Sequence, residues 1–249
     1  MRAILTYHSL DPSGSPISVD PEVFRAHVRW LASGRVRVVS LRELLTLPDD
    51  RDAVALTFDD GFESFRRVAA GPLRTYGLPA TVFVVTDAIG RTNAWGGRAD
   101  PRVPTLRLMD ADALAAIAAE GFELGAHSRT HAHLPRLDDH ALEDEILGSA
   151  DRLKALTGVE PFAFAYPYGA ADDRAVAVAR SRFGCAVSTR LAPIGAGDDR
   201  HRLPRLDAFY LRDPGQLERW GSMPFQHRLW LRAQARRVRE VFAGQGGGW

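Results

Sequence analysis

Short apolar runs alternate with segments of helical period along this chain, and that alternation restricts the folds open to it. The runs Ala3–Tyr7, Val36–Val39, Val54–Phe58, Thr81–Val85, Phe122–Ala126, Phe162–Ala165 and Cys185–Ser188 read as buried strands. Asp20-Pro21 supplies an N-cap and a proline at the first helical position, with Phe24, Val28 and Leu31 on one face of the helix that follows. Asp139–Leu156 carries Leu142, Ile146, Leu147, Ala150 and Leu153 at a period near 3.6, and Gly158 stops it. Strands alternating with helices of about ten residues or more imply βα units and a parallel sheet. About seven such units close better as a barrel than as an open sheet. The 249 residues lie within the usual size of one α/β barrel, so a single domain over 1–249 is expected. Positions 91–105, rich in glycine and proline, read as a long loop of the functional or mobile kind. From about Gln226 to Phe242 the chain reads as a basic amphipathic helical extension with a solvated arginine face, followed by a Gly-rich end.

Composition excludes several classes. Lys and Arg number 32 against 31 Asp and Glu, scattered along the chain, so no nucleic-acid-binding face is expected. Cys185 is the only cysteine, which rules out an intramolecular disulfide and a cysteine-based zinc site. Its neighbours Phe183, Gly184, Ala186 and Val187 suggest a buried strand position, where a cysteine packs as a small hydrophobe. The opening Met1-Arg2-Ala3-Ile4-Leu5-Thr6-Tyr7-His8 lacks the apolar core and cleavage site of a signal peptide. No run of about 18 apolar residues spans a bilayer, and a cytoplasmic protein with no transmembrane segment is expected.

Three motifs carry chemistry. Leu56-Thr57-Phe58-Asp59-Asp60-Gly61 ends an apolar run, where an α/β barrel places reactive groups. Adjacent carboxylates on a strand point in different directions, so one can hold a cation while its neighbour faces a substrate. The bland reading is a turn, since Asp and Gly are ordinary turn residues. Gly125-Ala126-His127-Ser128-Arg129-Thr130-His131 follows another run, and two histidines four apart on a helical turn reach one metal. A zincin would carry Glu where Ser128 stands, so the metalloprotease reading fails. A pair of surface histidines, with His133 nearby, is the alternative. With Asp60 the pair makes two imidazoles and one carboxylate, which leaves positions open for water and substrate. That donor set suits a divalent metal, zinc foremost, with cobalt, nickel or iron also compatible. Phe164-Ala165-Tyr166-Pro167-Tyr168-Gly169 is a tight turn that can present a backbone N–H, or simply end a strand.

In this order and after successive strands, Thr57-Phe58-Asp59-Asp60-Gly61, His127-Ser128 with His131, and Pro167-Tyr168-Gly169 resemble the polysaccharide deacetylase family, the NodB-homology domain of carbohydrate esterase family 4. The resemblance implies a distorted (β/α)7-type barrel that removes N-acetyl groups from an amino sugar in a polysaccharide, oligosaccharide or glycoconjugate precursor. It makes Asp59 the general base, Asp60, His127 and His131 the metal ligands, and the Tyr168 N–H an oxyanion donor. Two departures stand out. The family's third motif begins with an arginine that pairs with the catalytic aspartate, and here that position is Ala165. Arg202 and Arg205 are the candidates to replace it. The late Leu-x-His motif with the acid histidine is also missing, and His201 and His227 lack its context. Leu5-Thr6-Tyr7-His8 instead resembles the Tyr-His opening of exopolysaccharide de-N-acetylases related to the poly-N-acetylglucosamine enzymes, which makes His8 the candidate acid. Trp95, Tyr166 and Arg205 are the candidates to line a substrate groove. Two rivals remain: an amidase on a small non-sugar amide, and a carbohydrate-binding barrel that has lost activity.

Overall fold

The computed structural model describes residues 1–243, the side chains of 214 and 237–243 excepted. Among the described residues ten strands are present: β1 (Arg2–Tyr7), β2 (Ser9–Leu10), β3 (Ser18–Val19), β4 (Arg37–Val38), β5 (Ala53–Phe58), β6 (Ala80–Val84), β7 (Glu123–Ala126), β8 (Ala163–Ala165), β9 (Cys185–Val187) and β10 (Leu206–Asp207). The helices are α1 (Pro21–Ala32), α2 (Leu41–Leu44), α3 (Ala70–Thr75), α4 (Ala111–Ala119), α5 (Asp139–Thr157), α6 (Asp173–Arg182) and α7 (Met223–Ala243). Each expected strand is present within a residue at either end. The last helix starts three residues earlier than expected, and the Gly-rich end lies outside the described residues.

The main sheet is parallel in the order β10-β1-β5-β6-β7-β8-β9, with β4 beside the first half of β5. Leu203 bridges Val187 of β9, and Leu206 and Asp207 pair with Leu5 and Thr6 of β1. The segment 203–207 therefore touches both margins of the sheet and closes it as a distorted α/β barrel of the (β/α)7 type. Side chains alternate across the sheet. Ile4, Ala53, Ala55, Phe83, Ala163, Ala165, Cys185 and Val187 fill the interior, while Leu5, Leu56, Val82, Val84 and Phe164 pack outward under the helices. So many alanines inside keep the barrel narrow. Gly125 makes room for the one large inner ring, since a Cβ there would stand 2.5 Å from Phe83. Burial pushes the Cys185 thiol up to about 12, which fits its packing role.

The helices form for local reasons. The Asp20 side chain accepts from Glu22 N at 2.7 Å and Pro21 opens α1, burying Phe24, Val28 and Leu31. Asp138 caps α5 through Ala141 N at 2.8 Å, and Gly158 ends it at φ 73°. No helix among the described residues is long and apolar enough to cross a membrane.

A buried histidine ties α1 to the sheet. His27 Nε2 donates to the Leu211 carbonyl at 2.9 Å, which leaves Nδ1 to accept from the Tyr7 hydroxyl at 3.0 Å. Deep burial of the ring disfavours its charged form. Burial therefore lowers its pKa from 6.5 to about 4 despite the Leu211 bond. Its contribution to stability is complete above pH 6.5 and is lost as pH falls toward 4, because the unfolded chain binds the proton first. The expected loss is about 3 kcal/mol at most. Denaturant unfolding between pH 7 and 4.5 should show a slope in the wild type that His27→Gln lacks; equal slopes would refute it.

Candidate active site

The strand register brings the motifs to one rim. Thr6 pairs with Thr57 and Tyr7 with Phe58, so His8 and Asp59 leave neighbouring strand ends. Val84 pairs with Ala126 and Ala126 with Phe164, which places His127 and the Tyr166–Tyr168 turn on the same carboxyl-terminal rim. His8 Nε2 lies 3.7 Å from Asp59 Oδ2.

Asp59 is 2% exposed and Arg205 1% exposed. Arg205 holds both carboxylate oxygens at once, with 2.6 Å to Oδ1 and 2.7 Å to Oδ2. Its remaining donors reach Ser188 O at 2.9 Å and Thr6 Oγ1 at 2.9 Å, so neither charge is left without partners. Burial favours the neutral Asp59 carboxyl, but the Arg205 guanidinium and then His8 outweigh it and hold its pKa well below the carboxylate range. Of the two candidates for the arginine absent at Ala165, Arg205 is the one in place. Arg202 instead pairs with Asp173 at 2.6 Å on the surface. The expectation that Arg205 lines a substrate groove is corrected, since its guanidinium is spent inside the barrel.

Asp60, His127 and His131 converge, with donor atoms all within 4.8 Å of one another. Asp60 Oδ1 is 3.4 Å from Nε2 of each imidazole. His127 Nδ1 donates to Ala165 O at 2.7 Å, which turns its Nε2 lone pair toward Asp60. Asp60 Oδ1 is buried without a hydrogen-bond partner. Such a group is costly unless a cation meets it, and two imidazoles plus a carboxylate suit a divalent ion. The residues fit a metal. Burial and Asp60's neighbours act on the histidines in different senses. Burial lowers His131 to about 3, keeping its lone pair free, whereas Asp60 and Asp59 lift His127 against its burial. A proton and a cation compete for that nitrogen.

The helical turn expected for His127 and His131 is not what forms. Ser128 and His131 have φ of 62° and 64°, a looped path that no helix allows. Glu145 of α5 clamps this loop, accepting from the N–H groups of Arg129 and Thr130 at 2.9 Å each and from Thr130 Oγ1 at 2.6 Å. Asp60 and Tyr168 also have positive φ, 69° and 59°, so every described non-glycine residue of that kind lies in this site. Sequence reasoning assigned no role to Glu145, Thr6 or Thr57. The threonines carried a signal: each stands two residues before a site residue, His8 or Asp59, hence on the same strand face.

The remaining candidates separate. Trp95 stacks on His131 with ring centroids 4.4 Å apart, and Tyr168 meets the same ring edge-on at 4.5 Å. Tyr166 is fully buried, with its hydroxyl donating to His201 O at 2.9 Å, so its expected place in the groove is corrected. The reason is parity: Tyr166 follows Phe164 on the outward face, while Ala165 points inward. His201 donates to Phe183 O at 2.9 Å in a structural role, and His133 stacks beyond Tyr168 at 6.2 Å.

The polysaccharide deacetylase family model matches residues 46–183, more than half of the chain. The chain belongs to the polysaccharide deacetylase family. Within its matched span lie all three motifs, whereas His8 and Arg205 fall outside it. The chain is 25% identical over 171 residues to YxkH of Bacillus subtilis, named as a polysaccharide deacetylase, covering 67% of this chain and 56% of that protein's length. It is 25% identical over 218 residues to a poly-β-1,6-N-acetyl-D-glucosamine N-deacetylase of Staphylococcus epidermidis, covering 77% of this chain and 70% of the relative. The fold is similar to that of IcaB from Ammonifex degensii, with a TM-score of 0.73, 22% identity, and 87% and 96% of the two chains covered.

Two outcomes test the geometry. Arg205→Met leaves Asp59 buried without its partner and should destabilise by about 3–5 kcal/mol in denaturant unfolding. Adding Asp59→Asn should recover much of that loss; an additive double variant would refute the coupling. Zn2+ at about 100 times its Kd should stabilise the wild type by about 2.7 kcal/mol. His131→Ala should abolish that shift, and an unchanged shift would place the ion elsewhere.

Proposed function

We propose that this chain is a metal-dependent carbohydrate de-N-acetylase, acting on an N-acetylated amino sugar in a polysaccharide, oligosaccharide or glycoconjugate precursor. One observation carries the reading: an ionised carboxylate, Asp59, locked by Arg205 and 3.7 Å from His8, stands next in sequence to the Asp60–His127–His131 donor set. Family membership and the N-deacetylase relative support the choice of an acetylated sugar.

When bound by Asp60, His127 and His131, a divalent ion supplies Lewis-acid polarisation of the acetyl carbonyl and lowers the pKa of water. Zinc suits these donors best, with cobalt, nickel and iron as alternatives. Asp59 is the general base. Each of its oxygens spends one lone pair on Arg205 and keeps another for the proton that water gives up as it attacks. The Tyr168 N–H donates to the carbonyl oxygen as negative charge builds there, a contribution of roughly 3 kcal/mol for one such donor. His8 gives a proton to the amide nitrogen, because that nitrogen leaves only as a neutral amine. Arg205 and Thr6 keep the Asp59 plane fixed while charge moves. Trp95 and Tyr168, both packed on the His131 ring, wall the place where the sugar lies.

Acetate release from N-acetylglucosamine oligomers by the Zn2+-loaded protein tests this. Asp59→Asn and His8→Ala should each reduce kcat at least about 100-fold. Wild-type turnover in Asp59→Asn removes the base, and turnover only on small linear amides favours an amidase.

A further inference from the structure

The two histidines of the candidate metal site are held in different ways. His127 has a direct support: its Nδ1 donates to Ala165 O at 2.7 Å, and that bond fixes which edge of the ring faces Asp60. His131 lacks one. Its Nδ1 is buried, and among the described residues no hydrogen-bond partner meets it. Trp95 and Tyr168 pack on the ring with centroids at 4.4 and 4.5 Å, which limits its tilt. Packing does not choose, as a hydrogen bond would, which nitrogen points at Asp60 Oδ1. Metal-binding imidazoles ordinarily take that direction from a partner on the second nitrogen. His131 must take it from its own backbone.

That backbone is the looped path 128–131, with φ of 62° at Ser128 and 64° at His131. A non-glycine residue stays in this region only where its surroundings force it to. On one side, Thr86 N and Asp87 N donate to the carbonyls of Ser128 and Arg129 at 3.2 and 2.8 Å. Within the loop, Ser128 Oγ accepts from His131 N at 3.0 Å. The other side rests on one side chain of α5. Glu145 Oε2 accepts from Arg129 N and Thr130 N at 2.9 Å each, and Oε1 accepts from Thr130 Oγ1 at 2.6 Å. Gly148, on the same face of α5, lets the loop come this close, since a Cβ there would stand 3.0 Å from Arg129 Cδ. Three donors from the two residues before His131 thus end on a single carboxylate.

We infer that Glu145 is a positioning residue of the metal site: by holding Arg129 and Thr130 it sets the direction in which His131 presents Nε2 to the ion. The inference rests on the metal-dependent reading above and extends it to a side chain that does not touch the ion. The task asks for reach rather than charge. In Glu145→Gln the amide oxygen can accept from both N–H groups, and the amide nitrogen can donate to Thr130 Oγ1. Thr130 is exposed, so its own hydroxyl proton can turn to solvent. Glu145→Asp keeps the charge but is one methylene shorter, and its oxygens fall short of the loop.

Competition against a chelating dye measures the Zn2+ Kd of the metal-free full chain and its variants. Glu145→Asp should raise Kd about 10- to 100-fold, the range for losing the outer support of a ligand, and Glu145→Ala should do the same. Glu145→Gln should stay within about threefold of wild type, because all three contacts can be remade. Asp151→Asn, on the same helix but paired with Arg182 at 2.7 Å, should bind as wild type does. Circular dichroism and melting of the metal-free proteins check folding, and the Asp and Gln variants carry the comparison should Glu145→Ala fail to fold. Wild-type affinity in Glu145→Asp overturns the inference. So do equal losses in Glu145→Asp and Glu145→Gln, which would make charge rather than reach the cause, or an equal loss in Asp151→Asn. In each of these cases the metal reading stands. A wild-type chain that binds no Zn2+ overturns that reading, and the inference with it.

Discussion

The buried pair of Asp59 and Arg205 governs the rest of the molecule. A carboxylate buried at the mouth of a narrow barrel cannot stay ionised by itself, because burial strips the charge of most of its hydration. Its countercharge arrives on the segment 203–207, which also closes the sheet between β9 and β1. Closure and electrostatics are thus one event. A slip of a single residue in that segment would turn Arg205 to the outer face and leave Asp59 uncompensated. The pair is tolerated because both oxygens, Thr6 and Ser188 together satisfy the guanidinium.

Around this pair the rim is built from strained backbone. Asp60, Ser128, His131 and Tyr168 all hold positive φ, and each such residue costs on the order of 1 kcal/mol or more. The strain persists because the surroundings over-determine it. Glu145 fastens three donors of the histidine loop, and Thr189 pins the Tyr168 turn. What the strain achieves is direction. A regular helix would offer His127 and His131 in parallel from one face, whereas the loop brings their Nε2 atoms onto a single carboxylate oxygen from two sides. A partnerless oxygen facing two lone pairs is a poor arrangement for a protein alone and a good one for a cation.

Much of this was legible in the sequence, and the reasons differ by residue. The strands were readable because each is a short apolar run bounded by turn residues, and a parallel sheet follows from the helices between them. Asp59 and His127 were readable because each directly follows such a run, and Asp60, His131 and Tyr168 because they belong to the motifs that begin there. Trp95 was placed near the site only through its loop. Tyr166 was misread, although strand parity from Phe164 and Ala165 assigns it to the outer face. The histidine loop was misread as a helical turn, because spacing of four residues fits a helix while Glu145, which bends the loop, lies on another element.

By itself the sequence determined which side chains stand at strand ends and which face of each strand they share. These are local matters, set by hydrophobic period and turn chemistry. Only the tertiary structure decided which distant residue neutralises Asp59. Arg205 lies 146 positions away with no local pattern to mark it, and its place depends on the closure of the barrel by segment 203–207.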